Sequence, residues 1–289
     1  CTSSFQSDVT STLAHRWRCF ALSREQEIVM KRFSLSGLTL LAVMGFTWPF
    51  LVPTQQLADK ASWFFLATAP IIVGLIVMLV SSDDLGSKNV AFLGILSALI
   101  AALRPLGIGA IGIEPMWFAL ILAARVMGPT FGFLLGTFSM LLSALLTGGI
   151  GPWLSYQVFA AALIGFGVGV IPHRLSGKLE IAALACYGIL AAEFFGIAMD
   201  LQFWPWSLGS GTELSYVAGA PLAENVSNFY TYHFISALAW DVPRAIITAA
   251  LILIAGKSAL NALRRARHRA AFATHAEFQE LANVRLNHR

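Results

Sequence analysis

The sequence predicts an all-α, polytopic membrane protein with about eight transmembrane helices. Three observations predict it. Of 289 residues, 57% are hydrophobic and only 12% are charged, where a soluble domain runs near about 45–50% and about 25%. Mean hydropathy is +0.72. Apolar runs approaching the ~20 residues needed to cross roughly 30 Å of hydrocarbon recur along the chain, with basic residues collected between some of them. A soluble globule, a disordered chain and a nucleic-acid-binding module are excluded by this composition.

The elements follow in order. Residues 1–33 are polar and basic and lack the apolar centre of a signal peptide, so they read as a cytoplasmic tail. Spans are predicted at 34–52 and 61–80, within a segment 34–88. Six more are predicted at 89–103, 115–127, 129–147, 154–172, 181–203 and 235–256. A basic tail, 257–289, closes the chain and reads as a helix able to lie on anionic lipid or to extend into solvent. Helices are required because open sheet edges cannot face lipid and no alternating strand pattern appears. The 115–127 run is short, about 20 Å by helix rise. It counts as a separate span because both tails are basic and belong on one side, which demands an even number of crossings.

Charge supports this map. Sixteen of the 19 Lys and Arg residues fall on the predicted cytoplasmic side, leaving Lys60, Arg104 and Arg244 outside. Residues 207–232 form a long outer segment with no Lys or Arg. The tryptophans are one-sided too: Trp48, Trp63, Trp117, Trp153, Trp204, Trp206 and Trp240 lie at outer span ends, and only Trp17 lies inside. An ordinary aromatic belt decorates both interfaces. The asymmetry therefore makes Trp153, Trp204 and Trp240 candidates to line a site, with a lopsided belt as the alternative.

Ionisable groups within membrane helices are costly and default to functional candidates. Glu193 and Asp200 lie seven residues apart on one helix face. Asp241 and Arg244 are i,i+3 neighbours able to pair. Arg104 and Glu114 flank a loop whose glycines, Gly107, Gly109 and Gly112, suit a mobile lid. His233 sits among Tyr230, Tyr232 and Phe234 as an interface residue or a ligand contact. Arg125, near an inner end, is expected to snorkel as a structural residue. Gly94, Ala98 and Ala102 recur every four positions, a small-residue face for packing within the bundle or for docking another membrane protein.

Several motifs carry no chemistry. The GxGxxG match at 107–112 does not follow a strand, and Ala255-Gly256-Lys257-Ser258 lacks the first glycine of a P-loop, so no nucleotide site is expected. Cys1, Cys19 and Cys186 show no pairing or metal-binding spacing. No catalytic motif, metal or cofactor is expected.

Residues 89–256 resemble the substrate-binding (S) component of energy-coupling factor (ECF) vitamin importers. The matching stretches are Leu103-Arg-Pro-Leu-Gly-Ile-Gly with Gly112-Ile-Glu-Pro115, Leu146-Thr-Gly-Gly-Ile-Gly-Pro-Trp-Leu154 with Tyr156-Gln157, Phe203-Trp-Pro205, Gly219-Ala-Pro-Leu-Ala-Glu-Asn225 and Trp240-Asp-Val-Pro-Arg244. Together they look like an actinobacterial subgroup associated with cobalamin or related corrinoids. The two N-terminal spans look like an addition to the six-helix core.

The resemblance implies a binding and delivery subunit without catalysis, in the bacterial plasma membrane with both termini cytoplasmic. It implies a coupling protein and two ATPases as partners, and no nucleic acid. It places a micronutrient at the outer face under loops 104–114, 148–153 and 204–232. The implied substrate-binding set is Glu114, Trp117, Trp153, Tyr156, Gln157, Asp200, Trp204, Asn225, Tyr232, His233, Trp240, Asp241 and Arg244. Arg104, Gly107, Gly109 and Gly112 form the gating loop, and Gly94, Ala98 and Ala102 face the coupling protein. A corrinoid is the first expectation for the cargo, with riboflavin, thiamine or a pyrimidine precursor as alternatives. Two other classes stay open: a membrane-embedded polyprenyl or lipid transferase using Glu193, Asp200 and Asp241, and a gradient-driven carrier with Asp200 as a proton relay.

Overall fold

The computed structural model describes Gly37, Leu40, Met44, Thr47, Pro49 and Phe50, and residues 87–287 apart from 108–112, 152, 208–211 and 213. Six α-helices run through the second range: α1 Ser87–Leu103, α2 Met116–Met127, α3 Pro129–Thr147, α4 Trp153–Gly167, α5 Gly177–Ser207 and α6 Leu222–Asn287. Short 3-10 turns, Arg104–Gly107 and Val168–Val170, follow α1 and α4. No strand occurs among the described residues. Five of these elements are long and apolar enough to cross a membrane, and α2 is a shorter apolar helix. The chain is an all-α polytopic membrane protein, as its composition predicts.

Glycine separates α2 from α3. Gly128 adopts φ 102°, a conformation that side-chain-bearing residues rarely take, and Pro129 then starts α3 at a position that needs no donor. The even span count needed two helices here, and two are present. The 12 residues of α2 are too few to cross the hydrocarbon unaided. Eight of them are buried by neighbouring helices, including Trp117, Leu120 and Ile121, so α2 is solvated by protein rather than by lipid. Its main neighbours are α3 and α6.

The tightest helix pair is α3 with α4. A Cβ at Gly132 would overlap the Gly165 carbonyl, and one at Gly136 would overlap the Ala161 carbonyl. Two small residues per helix, four apart, thus bring the backbones together, and close packing is what holds helices in lipid. By contrast, Ile95, Leu99, Leu190, Leu253 and Ile254 are exposed large apolar side chains, suited to a lipid-facing surface.

Several boundaries differ from the expectations. The 181–203 span is part of α5, which continues to Ser207. The 235–256 span lies inside the 66-residue α6, which starts at Leu222 and runs on through the basic tail. The outer segment 207–232 is therefore helical from Leu222 onward. Hydropathy hid this, because Glu224, Asn225, Asn228 and His233 are polar while the backbone hydrogen bonding continues. Glu224 and Asn225 both donate backbone N–H groups to the Pro221 carbonyl, which opens the helix. The 154–172 span ends as α-helix at Gly167. The 61–80 span lies outside the described residues, as do 1–33 and 34–52 apart from the six positions named above.

Candidate functional site

Among the described residues few charged side chains enter the bundle, and the fold gathers most of them at one end. That end, the outer one in the topology the charge asymmetry predicts, holds a cavity of about 370 Å³. α5 supplies Phe195, Gly196, Met199, Asp200 and Phe203; α6 supplies Tyr232, Ser236, Trp240, Asp241 and Arg244. Arg104 and Glu114, from the ends of the first outer loop, and Gln157 from α4 complete the wall.

Arg244 is the hub. Its side chain is 6% exposed. It donates Nε–H to Glu114 Oε2 at 2.9 Å and Nη1–H to Asp241 Oδ1, while its guanidinium lies 5.0 Å from the centre of the Phe195 ring. Glu114 Oε2 also accepts the Trp117 indole N–H at 2.6 Å. Glu114 is thereby fixed from α2 and α6 together. Gly196 makes room for Asp241, since a Cβ there would overlap the carboxylate. On the facing wall Arg104 donates to Gln157 Oε1 at 3.0 Å and to Ser143 Oγ at 3.3 Å.

A second network joins α5 to α6. His233 Nδ1 lies 2.7 Å from Asp200 Oδ2 and Nε2 lies 3.0 Å from Glu193 Oε1. Ser236 donates its hydroxyl to the same Asp200 oxygen. The His233 ring stacks on Phe229 at 6.0 Å and 11°.

Glu193, His233 and Asp241 also place ligand-type atoms within 4.8 Å of one another. Both His233 nitrogens are committed to carboxylates and Asp241 is held by Arg244, so these residues form a satisfied ion-pair network rather than an open donor set for a metal.

The other predicted residues fall elsewhere. Trp117 and His233 stand behind the wall, holding Glu114 and Asp200. Trp153 packs its ring against Gly151 at the turn preceding α4. Tyr156 is buried in the apolar core. Trp204 donates its N–H to the Leu214 carbonyl at 2.7 Å and packs with Phe50, Tyr216 and Phe229. Asn225 pairs with both backbone groups of Val217, at 3.0 and 2.8 Å. Trp204 and Asn225 thus tie down the segment between α5 and α6, outside the cavity wall. Gly107 ends a 3-10 turn and is pressed against the Ile113 backbone, a close approach that requires glycine, so it closes the loop's base. Gly109 and Gly112 lie outside the described residues.

Gly94, Ala98 and Ala102 are all exposed on α1, and a Cβ at Gly94 would meet nothing within 4 Å. Arg125 does not snorkel: it is buried, paired with Glu180 at 2.9 Å, and donates to the Ile171 and Pro172 carbonyls. Phe195, Gly196, Met199, Phe203 and Ser236 were missed by sequence reasoning, although Gly196 shares a face with Glu193 and Asp200, a signal that could have found it.

The family model described as ECF-type riboflavin transporter, S component, fits residues 84–265, well over half of the chain. No curated protein and no solved structure gives a match.

Proposed function

We infer the cargo from a shown premise: the chain belongs to the family of ECF-type riboflavin transporter S components, so it is a membrane substrate-binding subunit of an ECF importer in the bacterial plasma membrane. Such a subunit works with an ECF coupling component and ATPases, takes a small-molecule ligand and is not an enzyme. The finer reading is that the outer cavity holds riboflavin, or an uncharged heterocycle of that size, and that both termini are cytoplasmic.

The observation that carries this is a vitamin-sized cavity walled by aromatic faces, in which Arg244 is already paired with Glu114 and Asp241 and Arg104 is held by neutral Gln157 and Ser143. Small-molecule sites run from about 300 to about 1,000 Å³, and 370 Å³ lies near the lower limit. A corrinoid, the first expectation from the sequence, needs a volume several times larger. Phe195, Phe203, Tyr232 and Trp240 offer faces for a flat ring, while Arg104, Gln157 and Ser236 offer hydrogen bonds. Arg244 is paired with Glu114 and Asp241, and Asp200 is bonded by His233 and Ser236. The wall thus carries three carboxylates against two guanidinium groups, Arg104 and Arg244, and a phosphate would meet a net negative lining that an uncharged ligand avoids. The same pairing disfavours the transferase reading, because each carboxylate is held by a cation rather than aimed at a substrate proton.

Flavin fluorescence tests it. Riboflavin is expected to be quenched saturably by the purified chain without ATP, and flavin mononucleotide to bind at least about tenfold more weakly, a difference of ~1.4 kcal/mol. Saturable cobalamin binding in place of riboflavin would restore the corrinoid reading.

The exposed Gly94-Ala98-Ala102 face supports α1 as the surface that meets the coupling component, since small residues let a partner helix approach closely. Ala98→Leu should leave ligand binding intact and abolish coupled uptake in cells. Normal uptake by that variant would remove α1 from the interface.

A further inference from the structure

The end of the bundle opposite the candidate site carries a second cavity, of about 500 Å³, with a different electrostatic design. It is lined by Arg125, Glu180, Arg264, Arg267, His173 and His268, with the Val126 backbone beside them. Here one carboxylate serves two cations: Glu180 Oε1 accepts from Arg125 Nε at 2.9 Å and from Arg264 Nη2 at 2.7 Å. Arg125 is buried and spends its other donors on the Ile171 and Pro172 carbonyls, so it is a structural clamp on the turn before α5. Arg264 and Arg267 are different. Arg264 makes its bond to Glu180, and Arg267 donates to the Val126 carbonyl at 2.5 Å, with no carboxylate. Each guanidinium has five donors, so among the described residues each is anchored by one bond with most of its donors unspent. Three guanidinium groups against one carboxylate leave an excess of two positive charges before either histidine protonates.

An excess of fixed, forked donors around a concave space is the arrangement that recognises phosphate, through paired N–H···O bonds. Basic pockets between helices at the cytoplasmic end of a membrane protein suit anionic headgroups in particular. We propose that this basal cavity binds a phosphate-bearing anion, with Arg264, Arg267 and His268 as its receptors. The group is a phospholipid headgroup or a free phosphate; both present the same chemistry. The outer cavity, lined by three carboxylates against two guanidinium groups, disfavours such a group, so the two ends of the molecule select opposite ligand classes.

Native mass spectrometry of the full chain in detergent tests this. The probes are phosphatidylglycerol and phosphatidylcholine with identical acyl chains, and, separately, inorganic phosphate read by thermal shift. The double variant Arg267→Gln/His268→Gln leaves the Arg125–Glu180–Arg264 cluster in place, and His268→Gln alone breaks no hydrogen bond among the described residues. Folding is checked by the unfolding midpoint without added anion. The wild type is expected to retain phosphatidylglycerol over phosphatidylcholine by about tenfold, falling towards parity in the double variant. That result assigns the site to a lipid headgroup. A phosphate-dependent rise in the midpoint of the wild type, absent from the variant and without lipid preference, assigns it to a free anion. No preference for either probe, or a preference unchanged in a folded variant, overturns the proposal.

Discussion

Arg244→Ala is expected to abolish ligand binding while the lipid-embedded helices persist. The guanidinium bridges α6 to Glu114 beside α2 and pairs with Asp241 on its own helix, at 6% side-chain exposure. Removing one partner of a buried ion pair leaves an uncompensated charge and costs about 3–5 kcal/mol. Here two carboxylates are left uncompensated. Among the described residues Glu114 then keeps only the Trp117 indole, and the segment before α2 loses its tether to α6. Arg244→Lys should recover only part of the binding, because an ammonium lacks the planar fork that reaches two carboxylates in fixed directions. Asp241→Asn should fall between wild type and Arg244→Ala, since it keeps a hydrogen-bond acceptor in the same volume. Riboflavin quenching by each purified variant ranks them, and equal affinity for Arg244→Ala and wild type would take Arg244 out of the site.

Gly136→Leu should be the most damaging change to the fold. The Cβ alone collides with the Ala161 carbonyl, and the obstacle is backbone, which has no rotamer by which to retreat. Overpacking of this kind costs about 1–3 kcal/mol and sometimes more; forcing α3 away from α4 places this substitution at or above the upper figure. Gly136→Ala should already lower the unfolding midpoint in detergent. Gly94→Leu provides the control, because open space surrounds that Cβ, and its midpoint should stay near wild type. The pair separates two settings of glycine on membrane helices that look alike as sequence: one lets neighbouring helices of this chain touch, the other lies on an open helix face.

Much of the candidate site was legible because charge is scarce in an apolar chain. Asp200, Asp241, Arg244, Glu114 and Arg104 stood out against their surroundings, and all five line the outer cavity. The apolar wall was not legible: Phe195, Met199 and Phe203 are ordinary residues for a membrane span, and nothing in hydropathy separates a side chain facing ligand from one facing lipid. Tryptophan position proved a half-signal. Trp240 lines the cavity, while Trp204 turns into a cluster with Phe50, Tyr216 and Phe229, because depth in the bilayer is fixed by sequence but rotation about the helix axis is fixed by packing. The same limit explains α6. Its outer turns are polar, so an apolar-run criterion ends the span at 235, while the hydrogen-bonded helix begins at Leu222. Arg125 was expected to reach for headgroups; a buried carboxylate 55 residues away supplied a nearer partner, and such long-range pairs leave no local trace.

The cavity lined by α5 and α6 is proposed to hold an uncharged vitamin for delivery by other subunits. Native mass spectrometry of the chain purified from its producing cells addresses it most directly. A bound species with the mass of riboflavin, present in wild type and absent from Arg244→Ala, is the result expected. A corrinoid or a phosphorylated flavin in its place, or a flavin retained equally by the folded variant, would contradict the account.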